Sequence, residues 1–309
     1  MTVMTRLRSA PAPEVIEVAE NVYAYTQPHG GWCLNNAGVL AGSDGTVVID
    51  TVATVQRAAK LRESIERIGA DPVRTVVNTH HHGDHTFGND AFGPVTIVAH
   101  RAARAEMAAS GLGLTTLWPE ADWGEVRLTL PNLTFEGRLT VYVDDRRADL
   151  IHVGPAHTTN DVVVWLPAER VLFAGDVLMS GVTPFNLMGS VSGALRAIGE
   201  LRDLDPQTIV CGHGPVAGPE VLEQTTAYLR WIQQLASYGT GQGLNPLQTA
   251  READLGEFGA LIDRERVVGN LHRAYAEIEG GELGRPLDVG KIFGEMIDYN
   301  GGILPECLA

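Results

Sequence analysis

A cluster of histidines and carboxylates follows one of the short apolar segments of this chain. His80, His82, Asp84 and His85 lie within six residues, directly after the segment 73–78. That segment is rich in β-branched residues and is predicted to be a buried strand. Imidazole is a good ligand for divalent metals of intermediate softness, and carboxylate adds negative charge. The spacing therefore predicts a metal site where the strand ends.

The competing interpretation of the cluster is a solvated polar loop, which is common for histidine-rich segments in general. Here Gly83 and Asp84 interrupt the histidine run, and the run stands at a strand end. A glycine at position 83 is expected to let the turn close tightly enough for alternate side chains to converge. These features favour the metal site.

Three more candidate ligands stand far from the cluster in the sequence, and each follows a predicted strand. His157 follows the strand 150–153, Asp176 follows 171–174, and His213 follows 208–211. In open sheets, ligands and active sites collect at the edge where strands end. We therefore expect the scattered residues and the cluster to form one constellation.

The elements that would position these residues alternate between strands and helices. Helical spacing of apolar residues, ended by Gly69, predicts a helix over 54–68, and alternation around Glu20 predicts a β-hairpin over 15–27. Further strands are predicted at 36–41, 46–50, 73–78, 95–99, 134–135, 139–143, 149–153, 162–166, 171–174 and 208–211. Further helices are predicted at 101–110, 193–204, 220–234, 264–279 and 289–299.

A weak internal repeat supports this arrangement. The order strand, helix, Asp-Pro, strand, histidine occurs from Thr46 to His80 and again from Arg170 to His213. Two β-rich halves of this kind would stack as two sheets with helices outside, and would bring their strand-end loops to one rim.

The complete pattern resembles that of a known family. His80-x-His82-x-Asp84-His85, followed by His157, Asp176 and His213, is similar to the motif of the metallo-β-lactamase-fold metallohydrolases, over about residues 15–219. The resemblance implies an α/β fold, a four-layer αββα sandwich, with a C-terminal helical extension. We accordingly expect a flexible N-terminus at 1–13, a catalytic domain at 14–218 and the helical extension at 219–309.

The resemblance also implies roles for the candidate ligands. One metal ion would be held by His80, His82 and His157, and a second by Asp84, His85 and His213, with Asp176 bridging both. Asp50 would support the site from behind the ligands rather than bind metal. His85 directly follows Asp84, and Asp176 stands where class B1 β-lactamases carry a ligand cysteine. In both respects the site resembles the glyoxalase II, lactonase and ribonuclease Z branches. Antibiotic hydrolysis is thereby less expected.

For this family the ligand set implies a dinuclear zinc hydrolase, with iron or manganese as other occupants. Two zinc ions about 3.5–4 Å apart share a water and lower its pKa toward about 7, which supplies hydroxide to attack a carbonyl. Asp84, as the catalytic acid if one of its oxygens stays off the metal, or a second bound water would protonate the leaving group. The expected substrate is an ester, thioester, lactone or amide of a small, partly apolar molecule.

Two other functions stay open. Persulfide dioxygenases of the same family use a similar motif with a single iron held by two histidines and an aspartate. The other alternative is a non-catalytic metal-binding or partner-binding protein, against which the complete ligand set argues. Metal content separates the first alternative from the hydrolase.

Composition and charge exclude some partners. The chain has 309 residues and a formal net charge of −15, without the clustered Lys and Arg that nucleic-acid binding needs. A nucleic-acid partner is therefore not expected, and phosphodiester cleavage is less expected than hydrolysis of an acyl compound. Residues 1–13 hold no apolar segment, so we expect no signal peptide, no membrane association and a cytoplasmic location. Cys33, Cys211 and Cys307 are widely spaced and are predicted to be reduced thiols.

Several assignments stay open at this stage. His81 should point away from its neighbours, either to a supporting position or to solvent. His29 and Trp32 either cover the substrate or belong to an ordinary loop, and Trp118 lies either in the core or in a pocket wall. Phe185, Leu187 and Met188, with Pro184, form either an apolar substrate wall or core packing.

The helices after Pro219 carry no charge-bearing motif. They either shape the pocket mouth or bury an apolar stripe against a second subunit, which would give a homo-oligomer.

Overall fold

Two β-sheets form the centre of the computed structural model, which describes residues 11–70 and 72–309. Residues 1–10 of the predicted N-terminal segment lie outside the described residues. The first sheet contains, in spatial as in chain order, β1 (Glu14–Ala19), β2 (Val22–Thr26), β3 (Ala37–Leu40), β4 (Thr46–Ile49), β5 (Val73–Val77), β6 (Thr96–His100) and β7 (Leu133–Phe135). The second contains, from one edge to the other, β8 (Arg138–Val143), β9 (Arg146–His152), β10 (Val162–Leu166), β11 (Val171–Met179) and β12 (Thr208–His213).

Eight α-helices accompany the sheets in the described part of the chain. They are α1 (Val55–Arg67), α2 (Gly83–Thr86), α3 (Arg101–Ser110), α4 (Val191–Asp203), α5 (Glu220–Gln242), α6 (Pro246–Glu252), α7 (Arg266–Ile278) and α8 (Val289–Tyr299). Helix α6 was not predicted, although its start carries a clear signal. Asn245 and Gln248 form a capping box, and Pro246 occupies the first turn.

The sheets pack face to face and the helices cover their outer faces. Ile49 and Val77 of the first sheet share one buried cluster with Leu150 and Phe173 of the second. On the other side of the first sheet, α1 packs apolar side chains against β4 and β5. Helices α4, α5, α7 and α8 cover the second sheet. The predicted four-layer αββα sandwich is confirmed.

The internal repeat corresponds to two similar β-α-β units. Strands β4 and β5 are parallel and are joined by α1, while β11 and β12 are parallel and are joined by α4. A parallel pair needs such a crossover, and it sends both strands out at the same edge. The segment after β5 and the end of β12 are therefore placed where the candidate ligands can meet.

Strand β11 corrects one prediction. The predicted strand ended at residue 174, but β11 continues through Asp176 to Met179. Its pairing with β12 shifts register on both sides of Gly175, which has a φ of +50°. Only glycine adopts this conformation without strain, so the sheet kinks at Gly175 and resumes pairing. Asp176 thus lies inside a paired strand, which is more rigid than a loop.

The C-terminal helices share one hydrophobic core with α4 and the second sheet. Leu229 of α5, Leu271 of α7 and Met296 of α8 belong to the same buried cluster as Leu172 and Ile198. The division at residue 218 stays a prediction. Within the described residues, we find no helix that combines the length and the apolar composition needed to cross a membrane.

Candidate metal centre

The seven predicted ligands come together in two adjacent groups. Within each group the candidate ligand atoms lie within 4.8 Å of one another. The first group consists of His80, His82, His157 and Asp176, and the second of Asp84, His85 and His213. They come from the end of β5, the one-turn helix α2, the loop after β9, and strands β11 and β12. Their role as metal ligands stays a prediction.

Asp176 lies between the two groups. Its Oδ1 is 3.1 Å from Nε2 of His85, which belongs to the second group. Its Oδ2 is 3.3 Å from Nε2 of His157 and 3.4 Å from Nε2 of His213. One carboxylate therefore touches both groups, as the bridging role implied by the resemblance requires.

In four of the histidines, Nδ1 contacts an oxygen atom outside the two groups. The Nδ1 of His80 contacts Thr79 Oγ1 at 3.0 Å, and that of His85 contacts Asp50 Oδ2 at 2.8 Å. The Nδ1 of His157 contacts the Phe185 carbonyl, and that of His213 contacts the Gly30 carbonyl at 3.0 Å. A carbonyl or carboxylate oxygen only accepts, so Nδ1 carries a proton in His85, His157 and His213, and Nε2 of each ring faces the centre.

Two imidazole nitrogens of the centre have no hydrogen-bond partner. Nε2 of His80 and Nε2 of His82 are both buried in this state. Leaving such atoms unpaired costs free energy, on the order of 1–3 kcal/mol each. Imidazole nitrogens and carboxylate oxygens that converge in this way suit zinc and similar divalent cations. The donor set therefore fits a metal centre.

Asp50 contacts the centre from the end of β4. Its carboxylate accepts hydrogen bonds from the Thr79 amide at 2.7 Å and the Thr79 hydroxyl at 2.6 Å, besides the bond from His85. Its φ of +58° is unusual for a residue with a side chain, though aspartate tolerates it better than most. Such strain at a functional site is maintained by surrounding bonds. Asp50 thus orients His85 and the segment that leads to His80.

The sequence analysis missed a carboxylate that shapes the loop containing His157. Asp161 is buried and accepts hydrogen bonds from the Ala156 amide and from both the amide and the hydroxyl of Thr158. The spacing Thr158-x-x-Asp161 is typical of loops closed by side-chain bonds, and would have been the signal. Asp161 fixes the backbone on both sides of His157.

His81 has a supporting position and not a solvent-exposed one. It is 9% exposed, and its amide donates to the side chain of Asn160 at 3.1 Å. Its ring also contacts Asn160, whereas both metal groups exclude it. The solvent alternative for His81 is therefore wrong, and Asn160 is a second residue that the sequence analysis missed.

Two glycines are required by close approach. A Cβ on Gly83 would lie 2.4 Å from the Phe87 ring, and Gly83 has no positive φ. The predicted reason for this glycine, a tight turn, is thus corrected to packing of α2 against Phe87. A Cβ on Gly212 would lie 1.9 Å from Asp176 Oδ1. Gly212 therefore makes room for the carboxylate between the two groups.

The protein groups alone already balance charge within the centre. Burial lowers the pKa of His80 and His82 well below 6.5, and neighbouring imidazoles add to this effect. Burial also disfavours charged His85, but Asp176, Asp50 and Asp84 outweigh it and raise its pKa well above 6.5. Against the same burial penalty, Asp176 and Asp84 raise the pKa of His213 to about 9. The carboxylates thus stabilise positive charge where a divalent cation would lie.

An apolar pocket opens on the two groups. It has a volume of about 70 Å³, and its polar lining includes His82, Asp84 and His213. Its apolar walls include Trp32, Leu114, Leu117, Phe185, Leu187, Met188, Val289 and Phe293. Val289 and Phe293 belong to α8, so the C-terminal segment shapes this pocket.

The pocket shows where the residues of several open assignments lie. Trp32 lines it, whereas His29 lines a separate open cleft beside Tyr299. Trp118 is buried in the core and packs on Trp32 with 5.4 Å between ring centroids. Of the segment after β11, Phe185, Leu187 and Met188 line the pocket.

Comparison with known proteins identifies the family. The profile of the metallo-beta-lactamase superfamily matches residues 30–213. That range covers more than half of the 309 residues, so the chain belongs to this superfamily.

Its relatives differ widely in what they are named for. The chain is 32% identical over 149 residues to the alpha subunit of 2,4-dinitroanisole O-demethylase from Nocardioides sp. (strain JS1661), covering 47% of this chain and 41% of the relative. It is 23% identical over 261 residues to linear primary-alkylsulfatase from Pseudomonas sp. (strain ATCC 19151), covering 70% and 49%. It is 22% identical over 222 residues to metallo-beta-lactamase type 2 from Bacteroides fragilis, covering 68% and 83%. The chain spans less than half the length of the first two relatives.

A solved structure agrees with the fold. The metallo-beta-lactamase from Pontibacter korlensis superposes with a TM-score of 0.58 at 22% sequence identity, covering 71% of this chain and 99% of that one. At this identity the likeness shows the fold alone.

Proposed function

We propose that this protein is a dinuclear zinc hydrolase that cleaves an ester, thioester, lactone or amide bond of a small, partly apolar molecule. The observation that carries the proposal is the position of Asp176 between two groups of nitrogen and oxygen donors. A single-metal site needs only one of those groups. The second group, Asp84 with His85 and His213, supports a two-metal centre.

Each ion would have its own set of residues. His80, His82 and His157 would hold the first, Asp84, His85 and His213 the second, and Asp176 would bridge them. When bound, such a pair lowers the pKa of a shared water toward about 7 and polarises a carbonyl oxygen. Iron or manganese would suit a similar donor set.

The chain's own residues orient these groups and handle the leaving group. Nδ1–H bonds to Asp50, the Phe185 carbonyl and the Gly30 carbonyl hold three imidazoles in one tautomer, with Nε2 toward the centre. Asp84 lines the pocket, and 12% of its side chain is exposed. As a carboxylate it could take up the proton released by the attacking water and pass it to a leaving group in the pocket.

The pocket supports an apolar substrate portion. Each Å² of apolar substrate surface buried against its aromatic and aliphatic walls would contribute about 25 cal/mol of favourable transfer free energy. The names of two relatives point in the same direction, since one acts on 2,4-dinitroanisole and another on linear primary alkyl sulfates. The net charge of −15 gives no support to a nucleic-acid partner. Association of two copies through the C-terminal helices stays a prediction.

The test combines metal analysis with a substrate screen. Protein purified without added metal is analysed for zinc and iron, then loaded with zinc and assayed on thioester, lactone, ester, β-lactam and phosphodiester panels. We expect two zinc ions per chain, hydrolysis of an apolar acyl compound, and no hydrolysis by His82→Ala.

Other outcomes select the alternatives. One iron per chain with no hydrolysis would replace this proposal with an iron oxidoreductase resembling the persulfide dioxygenases. Two bound zinc ions with no activity on any panel would favour a non-catalytic metal-binding protein.

A further inference from the structure

Helix α7 presents one polar, buried face to the segment that follows β11. Arg266, Asn270 and Arg273 are spaced four and three residues apart, so they lie on the same side of the helix. They are 2%, 0% and 1% exposed, respectively. Buried polar side chains are costly unless they are bonded, so the partners of these three residues define what the face is for.

All three side chains bond the backbone of one loop. Arg266 Nη1 donates to the Thr183 carbonyl at 3.1 Å, and Asn270 Nδ2 donates to the Pro184 carbonyl at 2.7 Å. Arg273 donates twice to the Leu187 carbonyl, at 3.0 and 2.6 Å. The helix face therefore follows the loop from residue 183 to residue 187.

Asn270 forms hydrogen bonds with the loop 183–187 at two points. Besides its bond to the Pro184 carbonyl, its Oδ1 accepts the amide of Asn186 at 2.8 Å. Its second amide hydrogen goes to the Tyr228 hydroxyl at 3.0 Å, which fixes the orientation of the amide group. Asn270 thus holds residues 184 and 186 by hydrogen bonds, and Phe185 lies between them.

Phe185, between the two bonded residues, contacts the candidate metal centre. The carbonyl of Phe185 accepts the Nδ1–H of His157, which leaves Nε2 of His157 to face His82 and Asp176. The side chain of Asn186 also donates to the Ala156 carbonyl at 3.0 Å, directly before His157. One loop therefore sets both the ring and the backbone of this histidine.

We propose that Asn270 is a positioning residue that holds the ring of His157 toward the first metal ion through the loop 184–186. The proposal rests on the proposed metal centre and extends it, because α7 lies outside residues 30–213 that the superfamily profile matches. Partners that orient a metal-binding histidine contribute about 10–100-fold in metal affinity. Asn270 would exert this effect through two peptide groups, without touching the metal.

Asn270→Leu tests this proposal because it keeps the number and branching of the side-chain heavy atoms and removes all three hydrogen bonds. Zinc affinities are measured by competition with a chromogenic chelator, on protein whose folding is checked by thermal unfolding. We expect the affinity for one of the two zinc ions to fall at least about tenfold, with the other changed much less.

Tyr275→Phe is the matched control on the same helix. The Tyr275 hydroxyl bonds Thr249 at 2.7 Å and the Leu244 carbonyl at 3.1 Å, and these bonds involve neither the loop 184–186 nor the centre. Its removal should lower the unfolding temperature and leave both zinc affinities unchanged. A purely structural role for Asn270 would instead make the two variants alike.

The outcomes separate this proposal from the proposed function. Wild-type protein that binds no zinc would overturn the metal centre itself, whereas equal zinc affinities in folded Asn270→Leu and wild type would overturn this proposal alone. Should Asn270→Leu not fold, nitrogen-15 spectra of wild-type histidines decide the matter. We expect a slowly exchanging Nδ1–H signal that disappears in His157→Gln. A freely exchanging Nδ1–H would contradict the positioning of His157 by the loop 184–186.

Discussion

The carboxylate of Asp50 accepts a hydrogen bond from Nδ1 of His85 at 2.8 Å while also accepting two from Thr79. Asp50→Asn would turn an NH2 group toward at least one of these donors. We expect zinc affinity to fall about 10–100-fold, measured by chelator competition. Asp149→Asn is the control, since Asp149 is equally buried but bonds Thr140 and Arg147 on the second sheet. Unchanged zinc affinity in Asp50→Asn would contradict the supporting role of Asp50.

Gly212→Ala should disturb the centre by sterics alone. The added Cβ would lie 1.9 Å from Asp176 Oδ1, so either the carboxylate or the paired strands must move. We expect the free energy of unfolding to fall by about 1–3 kcal/mol, together with zinc affinity. Gly199→Ala in α4 meets nothing within 4 Å and should raise stability by about 0.5–1 kcal/mol. Urea unfolding compares the two variants, and a Gly212→Ala protein as stable as wild type would refute the prediction.

Removal of metal should lower stability. Binding to the folded state alone stabilises it by about 2.7 kcal/mol when free zinc is 100-fold above its dissociation constant. We therefore expect the unfolding temperature to rise with zinc concentration and to fall again with EDTA. The zinc-dependent rise should be smaller in His82→Ala, which lacks one donor of the first group. An unfolding temperature independent of zinc in wild type would count against the centre.

His100 should make stability depend on pH outside the centre. Burial, with the ring of His152 stacked at 4.0 Å, lowers the pKa of His100 to about 4. The unfolded value is about 6.5, so between pH 6.5 and 4 the unfolded chain binds the extra proton. Stability from this residue is full above pH 6.5 and is lost as pH falls through that window. Because His100 is only partly buried, the loss should be about 1 kcal/mol.

His100→Asn tests that dependence. Asparagine does not titrate and keeps an acceptor for the Ala102 amide at the start of α3. Urea unfolding at pH 7 and pH 4.5 should give a smaller difference for the variant than for wild type. An equal difference would mean that His100 does not contribute.

Local sequence patterns predicted most elements and the residues that meet at the centre. Helix α8 has the predicted bounds of 289–299, and the predicted hairpin is present as β1 and β2. These predictions succeed because apolar periodicity and turn residues act over a few positions. The candidate ligands were recognisable because their imidazoles and carboxylates stand at strand ends, where ligands and active sites collect.

Contacts between distant segments could not be predicted in this way. The reason for Gly83 is the ring of Phe87, and the extension of β11 past Gly175 depends on pairing with β12. Asn270 looks like any helical asparagine until α7 is placed against residues 184–186.

The sequence alone thus identified the side chains that meet at the centre and the strands that lead to them, because both follow from short-range patterns. The tertiary structure decided which atoms hold those side chains in place. Asp50, Asp161 and the Phe185 carbonyl act through hydrogen bonds whose geometry exists only once the sheets and helices have packed. Such bonds depend on distance and direction in space, which residue spacing along a chain does not encode.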